Sequence, residues 1–127
     1  MKKILIIEDH LENRENFTEA FLLFGFDVYT ASNGQEGMEL IQLIQPDIII
    51  CDILLPIYNG FEILDYTKKN LFKKFLFVFA SAKAESKDVR EGLEIGADAY
   101  LIKPFSPTQL YKTILEKFQM NHLSLAL

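Results

Sequence analysis

The sequence predicts an α/β domain built on a parallel sheet with helices on both faces, and three observations point there. Five short runs rich in Ile, Val, Leu and Phe recur along the chain, at 3–7, 26–30, 47–51, 75–80 and 99–102. Their apolar residues are continuous rather than alternating, the pattern of strands buried on both faces. Amphipathic stretches separate them, and helix start and stop signals stand at the joins. Strict alternation of strand and helix requires crossover connections, which are right-handed and cover both sides of a parallel sheet.

The first run, Lys3-Ile4-Leu5-Ile6-Ile7, stops at Glu8-Asp9. Four apolar residues without a following small-residue cleavage site do not make a signal peptide. Phe17, Ala20, Phe21 and Phe24 then keep the i, i+3, i+4, i+7 spacing of one helix face, and Gly25 closes that helix. After the second run, Asn33-Gly34 opens a second helix and Pro46 follows its end. The third run leads to Asp52 and the fourth to Ser81. Gly96 ends the fourth helix, and the fifth run ends at Lys103-Pro104. Ser106-Pro107 reads as an N-cap with proline at the first helical position, and Leu110, Tyr111, Ile114, Leu115 and Phe118 form the apolar stripe of the last helix.

Composition narrows the function. With 127 residues, half of them hydrophobic, the chain is sized for one domain with a real core and no need of disulfides or a structural metal. We divide it into a domain over 1–120 and a short tail over 121–127. The formal net charge of −5 leaves no basic surface for direct nucleic-acid binding. The longest apolar stretch, 75–80, is far short of the roughly 20 residues of a membrane helix. A single cysteine, Cys51, suits the cytoplasm and is expected to act as a small apolar filler.

Ligands of open parallel sheets bind outside the carboxyl ends of the strands. The polar residues there are Glu8 and Asp9, Asp52, Ser81 and Lys103. Three carboxylates brought together call for a cation, and oxygen ligands alone suit Mg2+. Lys103 would hold an anionic oxygen on the other side, so ion and ammonium together would clamp a phosphoryl group. Asp52, between them, is the candidate nucleophile, giving an aspartyl phosphate. The three carboxylates and one ammonium leave two negative charges, which one Mg2+ would cancel. His10 is expected to be a surface or capping residue without a catalytic role.

Glu8-Asp9, Asp52, Ser81 and Lys103-Pro104-Phe105, with Asp52-Ile53-Leu54-Leu55-Pro56 leading to Asn59-Gly60, and Gly96-Ala97-Asp98-Ala99-Tyr100-Leu101, resemble the receiver domain of two-component response regulators. The match runs over residues 3 to 119. It implies a flavodoxin-like doubly wound sheet of five strands in the order 2-1-3-4-5 with five helices. Residue by residue, it implies that Asp52 is the phosphoacceptor and that Asp9 and Asp52 ligate Mg2+ with the carbonyl of Leu54, Glu8 acting through water. Lys103 would pair with a phosphoryl oxygen and Ser81 would donate to another. Tyr100 would turn inward in response, Lys103-Pro104 would be a cis bond, and the signal would appear on the face made by the fourth helix, fifth strand and fifth helix.

The chain departs from the family at Ser81, where Thr is commoner, at Leu54-Leu55, where Met often precedes the proline, and at the bulky Ile57-Tyr58. Leu54 and Lys83 flank the path of attacking water, which puts the phosphoryl lifetime and not the function in question.

The resemblance implies a signalling switch, catalysing only its own phosphorylation and dephosphorylation. Its donor would be a sensor histidine kinase or histidine phosphotransfer protein facing Asn13, Arg14, Phe17, Pro104 and Phe105. An unidentified protein target would meet Tyr100, Lys103 and the fourth helix, with the chain a monomer or a weak phosphorylation-dependent dimer. It would either signal by docking or be the receiver piece of something longer. The alternatives are an aspartate-nucleophile, Mg2+-dependent phosphatase or phosphotransferase, whose usual second Asp is replaced here by Leu54, and a flavin binder, for which no glycine-rich phosphate loop follows the first strand. A degenerate receiver is disfavoured because every chemical group is present.

Overall fold

The computed structural model describes residues 1–120 and contains ten alternating elements: β1 (Lys3–Ile7), α1 (Leu11–Leu23), β2 (Asp27–Ala31), α2 (Gly34–Ile44), β3 (Ile48–Asp52), α3 (Gly60–Asn70), β4 (Leu76–Ser81), α4 (Ser86–Glu94), β5 (Ala99–Ile102) and α5 (Pro107–Met120). The expected tail, 121–127, lies outside the described residues. β2, β3 and β4 each begin and end one residue later than the apolar runs, so Asp52 and Ser81 are the last residues of their strands. The ladder sets these limits: Asp52 pairs with Ala80 and Ser81 with Ile102, so the bonding continues onto polar side chains that a hydropathy pattern leaves out.

All pairings are parallel, and the strand order is β2-β1-β3-β4-β5. The continuous apolar runs follow from the period of two along each strand. Ile4, Ile6, Ile48, Ile50, Leu76 and Val78 point to one side, where Phe21 of α1 and Leu110, Ile114 and Phe118 of α5 cover them. Leu5, Ile7, Ile49, Cys51, Phe77 and Phe79 point to the other, against Ile41 of α2 and Ile63 and Leu64 of α3. Each fully buried side chain of this size contributes roughly 1.5–3 kcal/mol. Leu115 departs from its expected place in the stripe, being 38% exposed on the outer flank of α5.

Local signals fix the helix ends. Asn33 caps α2 by accepting the Glu36 N–H, and Asn59 and Glu62 form a reciprocal capping box on α3. Ser106 accepts the Gln109 N–H while its own N–H donates to the Gln109 side chain, as expected for an N-cap. α1 and α4 differ. Their N-cap residues, His10 and Glu85, make no side-chain cap bond. α1 follows the acidic end of β1, and α4 follows Ser81 at the end of β4.

Strand order places the crevice. The chain turns to opposite sides after β1 and β3, so their carboxyl ends open on the switch point where open α/β sheets hold ligands. Gly60 lets α3 begin directly against this edge: a Cβ there would lie 2.7 Å from the Asp52 carbonyl oxygen and 2.8 Å from the Ile53 Cα. Between them, Ile57 adopts φ 74° with its side chain exposed. For a β-branched residue that conformation costs about 1–3 kcal/mol.

Candidate functional site

Two strand ends meet an ammonium supplied by a third. Lys103, just beyond β5, extends across the edge of the sheet and donates to Glu8 Oε1 at 2.5 Å and Asp52 Oδ2 at 2.7 Å. The Lys103-Pro104 bond is cis, as expected. Glu8 follows the neighbouring strand β1 and Asp52 ends β3, so a side chain from the end of β5 reaches two adjacent strands with which β5 does not pair. Both carboxylates are buried, Glu8 4% and Asp52 6% exposed. Ser81, at the end of β4, is fully buried and its Oγ accepts the Lys83 N–H at 3.1 Å.

The two carboxylates share a cation but not its full effect. Burial pushes Asp52 above its ordinary value, and the hydrogen bonds from Lys103 and the Leu54 N–H, 3.1 Å from Oδ1, only partly offset it. Burial acts on Glu8 in the same sense, yet Lys103 and the His10 N–H outweigh it and hold Glu8 below its ordinary value. For Lys103, burial favours the neutral amine, but the bonds to Asp52 and Glu8 dominate and raise its pKa. The ammonium therefore stays charged. Asp52 is the carboxylate left under electrostatic strain, the condition expected of a group held for chemistry.

The first turn of α1 closes around Glu8 from the other side. Asn13 donates its amide to Glu8 Oε1 at 3.4 Å, and the Arg14 guanidinium donates to the Glu8 carbonyl at 2.8 Å. Sequence reasoning placed both residues on a kinase-facing surface and missed these bonds. The available signal was their place in the first turn of a helix entered directly from the acidic pair. His10 occupies the N-cap position, yet its ring lies against Glu8 and Asp9 instead of capping α1. Of the surface or capping role expected of it, the surface one holds, with the side chain 71% exposed.

The residues expected to hold Mg2+ are brought to one edge but do not all converge. Among the described residues, the group whose ligand atoms fall within 4.8 Å of one another is Glu8, Asp9 and His10, without Asp52. Lys103 stands between Glu8 and Asp52. The donors at this edge are dominated by carboxylate oxygens, which fits a hard divalent ion.

Tyr100, in β5, lies beyond Ser81. Its hydroxyl donates to the Lys83 carbonyl at 2.8 Å, and its ring rests on α4. A Cβ on Gly92 would lie 2.8 Å from a Tyr100 ring carbon, so glycine at this point of α4 leaves room for the ring. Ser81 and Tyr100 thus grip the same residue, one through the N–H of Lys83 and the other through its carbonyl. Cys51 is fully buried, as expected of a filler.

Comparison with known proteins agrees with this arrangement. The family model of the response regulator receiver domain matches residues 4–115. The chain is 36% identical over 113 residues to the probable transcriptional regulator ycf29 of Pyropia yezoensis, covering 88% of this chain and 51% of that protein. It is 34% identical over 122 residues to the alkaline phosphatase synthesis transcriptional regulatory protein PhoP of Bacillus subtilis, covering 94% and 50% respectively. The chain thus spans about half the length of the curated relatives it matches. The crystal structure of the Vibrio cholerae chemotaxis protein CheY4 superposes with a TM-score of 0.83 at 28% identity, covering 91% of this chain and 98% of that one. By sequence match, strand order and fold, the chain belongs to the response regulator receiver domain family of two-component systems.

Proposed function

We propose that Asp52 accepts a phosphoryl group from a phosphohistidine of a sensor kinase or phosphotransfer protein, with residues 1–120 acting as the receiver unit. The observation that carries this reading is the Lys103 ammonium, at 2.5 Å from Glu8 and 2.7 Å from Asp52. A carboxylate oxygen of Asp52 attacks phosphorus, the O–P bond forms as the N–P bond breaks, and the leaving imidazole takes up a proton from solvent. Lys103 is in reach of an oxygen on the group Asp52 has gained, and the Ser81 hydroxyl donates to another. Asp9 and Asp52, with the Leu54 carbonyl, would hold Mg2+, Glu8 assisting. The ion supplies charge neutralisation for the phosphoryl oxygens among three carboxylates.

The aspartyl phosphate brings roughly one and a half to two negative charges to this edge. Ser81, Lys83 and Tyr100 are the elements able to report it, since both side chains bond the backbone of Lys83. The output surface is then α4-β5-α5, where Leu93 and Ile102 are exposed beside Val89. A downstream protein partner meets the chain there. The donor approaches over Asn13, Phe17, Pro104 and Phe105, which line a shallow cavity beside Lys103.

Treatment with acetyl phosphate and Mg2+ tests the reading. The parent protein should gain an alkali-labile acyl phosphate and Asp52→Asn should gain none. Equal labelling of the two would refute the assignment. Sustained turnover of a phosphomonoester would instead favour the small-molecule phosphatase, a reading that Leu54, standing where the second Asp is expected, does not support.

A further inference from the structure

The two edges of the sheet carry different surfaces. Because the strands are parallel, α1 to α4 each end at the amino edge, where the next strand begins, and α5 returns there with Phe118 packed in the cluster of Phe26 and Leu76. Among the described residues, the five most exposed large apolar side chains, Phe72, Leu23, Leu43, Met1 and Met120, all stand at this edge, between 67% and 88% exposed. We propose that the amino edge is a docking face for an anionic lipid bilayer, on which the chain lies with Asp52 turned away from the lipid.

Charge supplies the second observation. The chain carries −5 overall, yet residues 66–75 contain four lysines and no acidic residue. Lys68 and Lys69 stand in the last turn of α3, Lys73 and Lys74 precede β4, and all four are exposed on either side of Phe72. Lys2 and Lys3 join them from the start of β1, which Asp47 ties to this loop by accepting the Lys3 N–H and the Lys73 ammonium. The aspartates of the edge are half-buried and hydrogen-bonded: Asp47 as described, Asp27 to the Tyr29 hydroxyl and Asp98 to the Phe77 N–H. Glu94 is exposed, but it ends α4 at the β5 margin of the sheet. The outward charge around Phe72 is therefore positive.

Apolar anchors standing among lysines suit a bilayer interface, where aromatic and aliphatic side chains enter the headgroup region and ammonium groups meet anionic lipid. A second copy presenting the same edge would set lysine against lysine. Among the described residues no helix is long and apolar enough to cross a membrane, so the contact proposed is with one surface. The face lies opposite Asp52, and the inference does not rest on the phosphoacceptor.

Co-sedimentation of the full chain with vesicles of phosphatidylcholine, alone and mixed with phosphatidylserine, tests it. The parent should bind the mixed vesicles and not the neutral ones, and high salt should release it. Phe72→Ser should weaken binding about tenfold by removing the largest anchor. Lys69→Gln combined with Lys74→Gln should weaken it about twentyfold, at roughly fivefold per lysine. Leu11→Ser and Lys87→Gln, exposed in the first turns of α1 and α4 at the carboxyl edge, should bind as the parent does. Circular dichroism checks that each variant is folded. A parent that does not bind, equal binding to neutral vesicles, or equal loss in the variants of both edges overturns the proposal. Self-association without lipid that Phe72→Ser abolishes, read by sedimentation velocity, would give the face to a second copy and also overturn it.

Discussion

Two aspartates flank one strand and meet opposite fates. Asp47 stands just before β3 at the amino edge of the sheet, and Asp52 ends the same strand at the carboxyl edge. Asp47 accepts the Lys3 backbone N–H and the Lys73 ammonium, each at 2.8 Å. Burial acts to raise its pKa, but those bonds win and hold it below its ordinary value. Asp52 is more deeply buried and has one ammonium shared with Glu8, so it ends above its ordinary value. One carboxylate is neutralised by its neighbours and fastens β1 to β3. The other is held at a cost. That difference separates a structural charge from the one we propose to be reactive, although the two stand at opposite ends of one strand.

The largest effect should come from disturbing the packing at the carboxyl end. Gly60→Ala forces a Cβ into the Asp52 carbonyl and the Ile53 backbone. Urea unfolding should register a loss of about 3 kcal/mol, together with loss of phosphoryl labelling. A stable, fully labelled Gly60→Ala protein would mean that α3 does not need this close approach.

At the amino end, Asp47→Ala removes two hydrogen bonds, one of them charge-assisted. A loss of about 2 kcal/mol is expected, with labelling intact in the protein that remains folded. If labelling falls as far as stability, the two ends of β3 are not independent and the comparison fails.

Asp52→Asn should have the smallest effect on stability and the opposite sign. Removing a buried carboxylate with a raised pKa should stabilise the fold, by about 0.5 kcal/mol once solvent screening is allowed for. The pH dependence should diverge accordingly. The pKa of Asp47 is lowered from 3.8, so its contribution is present above that value and lost as pH falls through the lowered one. The pKa of Asp52 is raised from 3.8, so its contribution is present below that value and lost as pH rises through the raised one. Stability measured from acid to neutral pH should show the gain of Asp52→Asn growing with pH and the deficit of Asp47→Asn growing as well. Parallel curves for the parent and Asp52→Asn would contradict the assigned direction.

The sequence made the fold legible where its signals are local. Period-two burial made the runs continuous, and Asn33, Gly96 and Ser106 marked helix ends that the structure keeps. The strand ends were one residue off at β2, β3 and β4; at β3 and β4 the hydrogen bonding continues onto Asp52 and Ser81 after hydrophobicity stops. The order 2-1-3-4-5 came from family resemblance, since alternation alone does not rank strands. At the site, the identities of Asp52 and Lys103 were legible from their positions at strand ends. The direct Lys103–Glu8 bond was not, because it crosses the sheet between strands separated by β3 and β4. Nor was the place of His10, whose ring follows the acidic pair instead of the helix cap.

The central claim is that Asp52, not a neighbouring carboxylate, carries the phosphoryl group. Borohydride reduction of the protein labelled by acetyl phosphate and Mg2+, followed by peptide mass spectrometry, tests it directly. The account predicts homoserine at position 52 alone. Homoserine formed from another aspartate, or an acid-stable phosphate on serine, would contradict it.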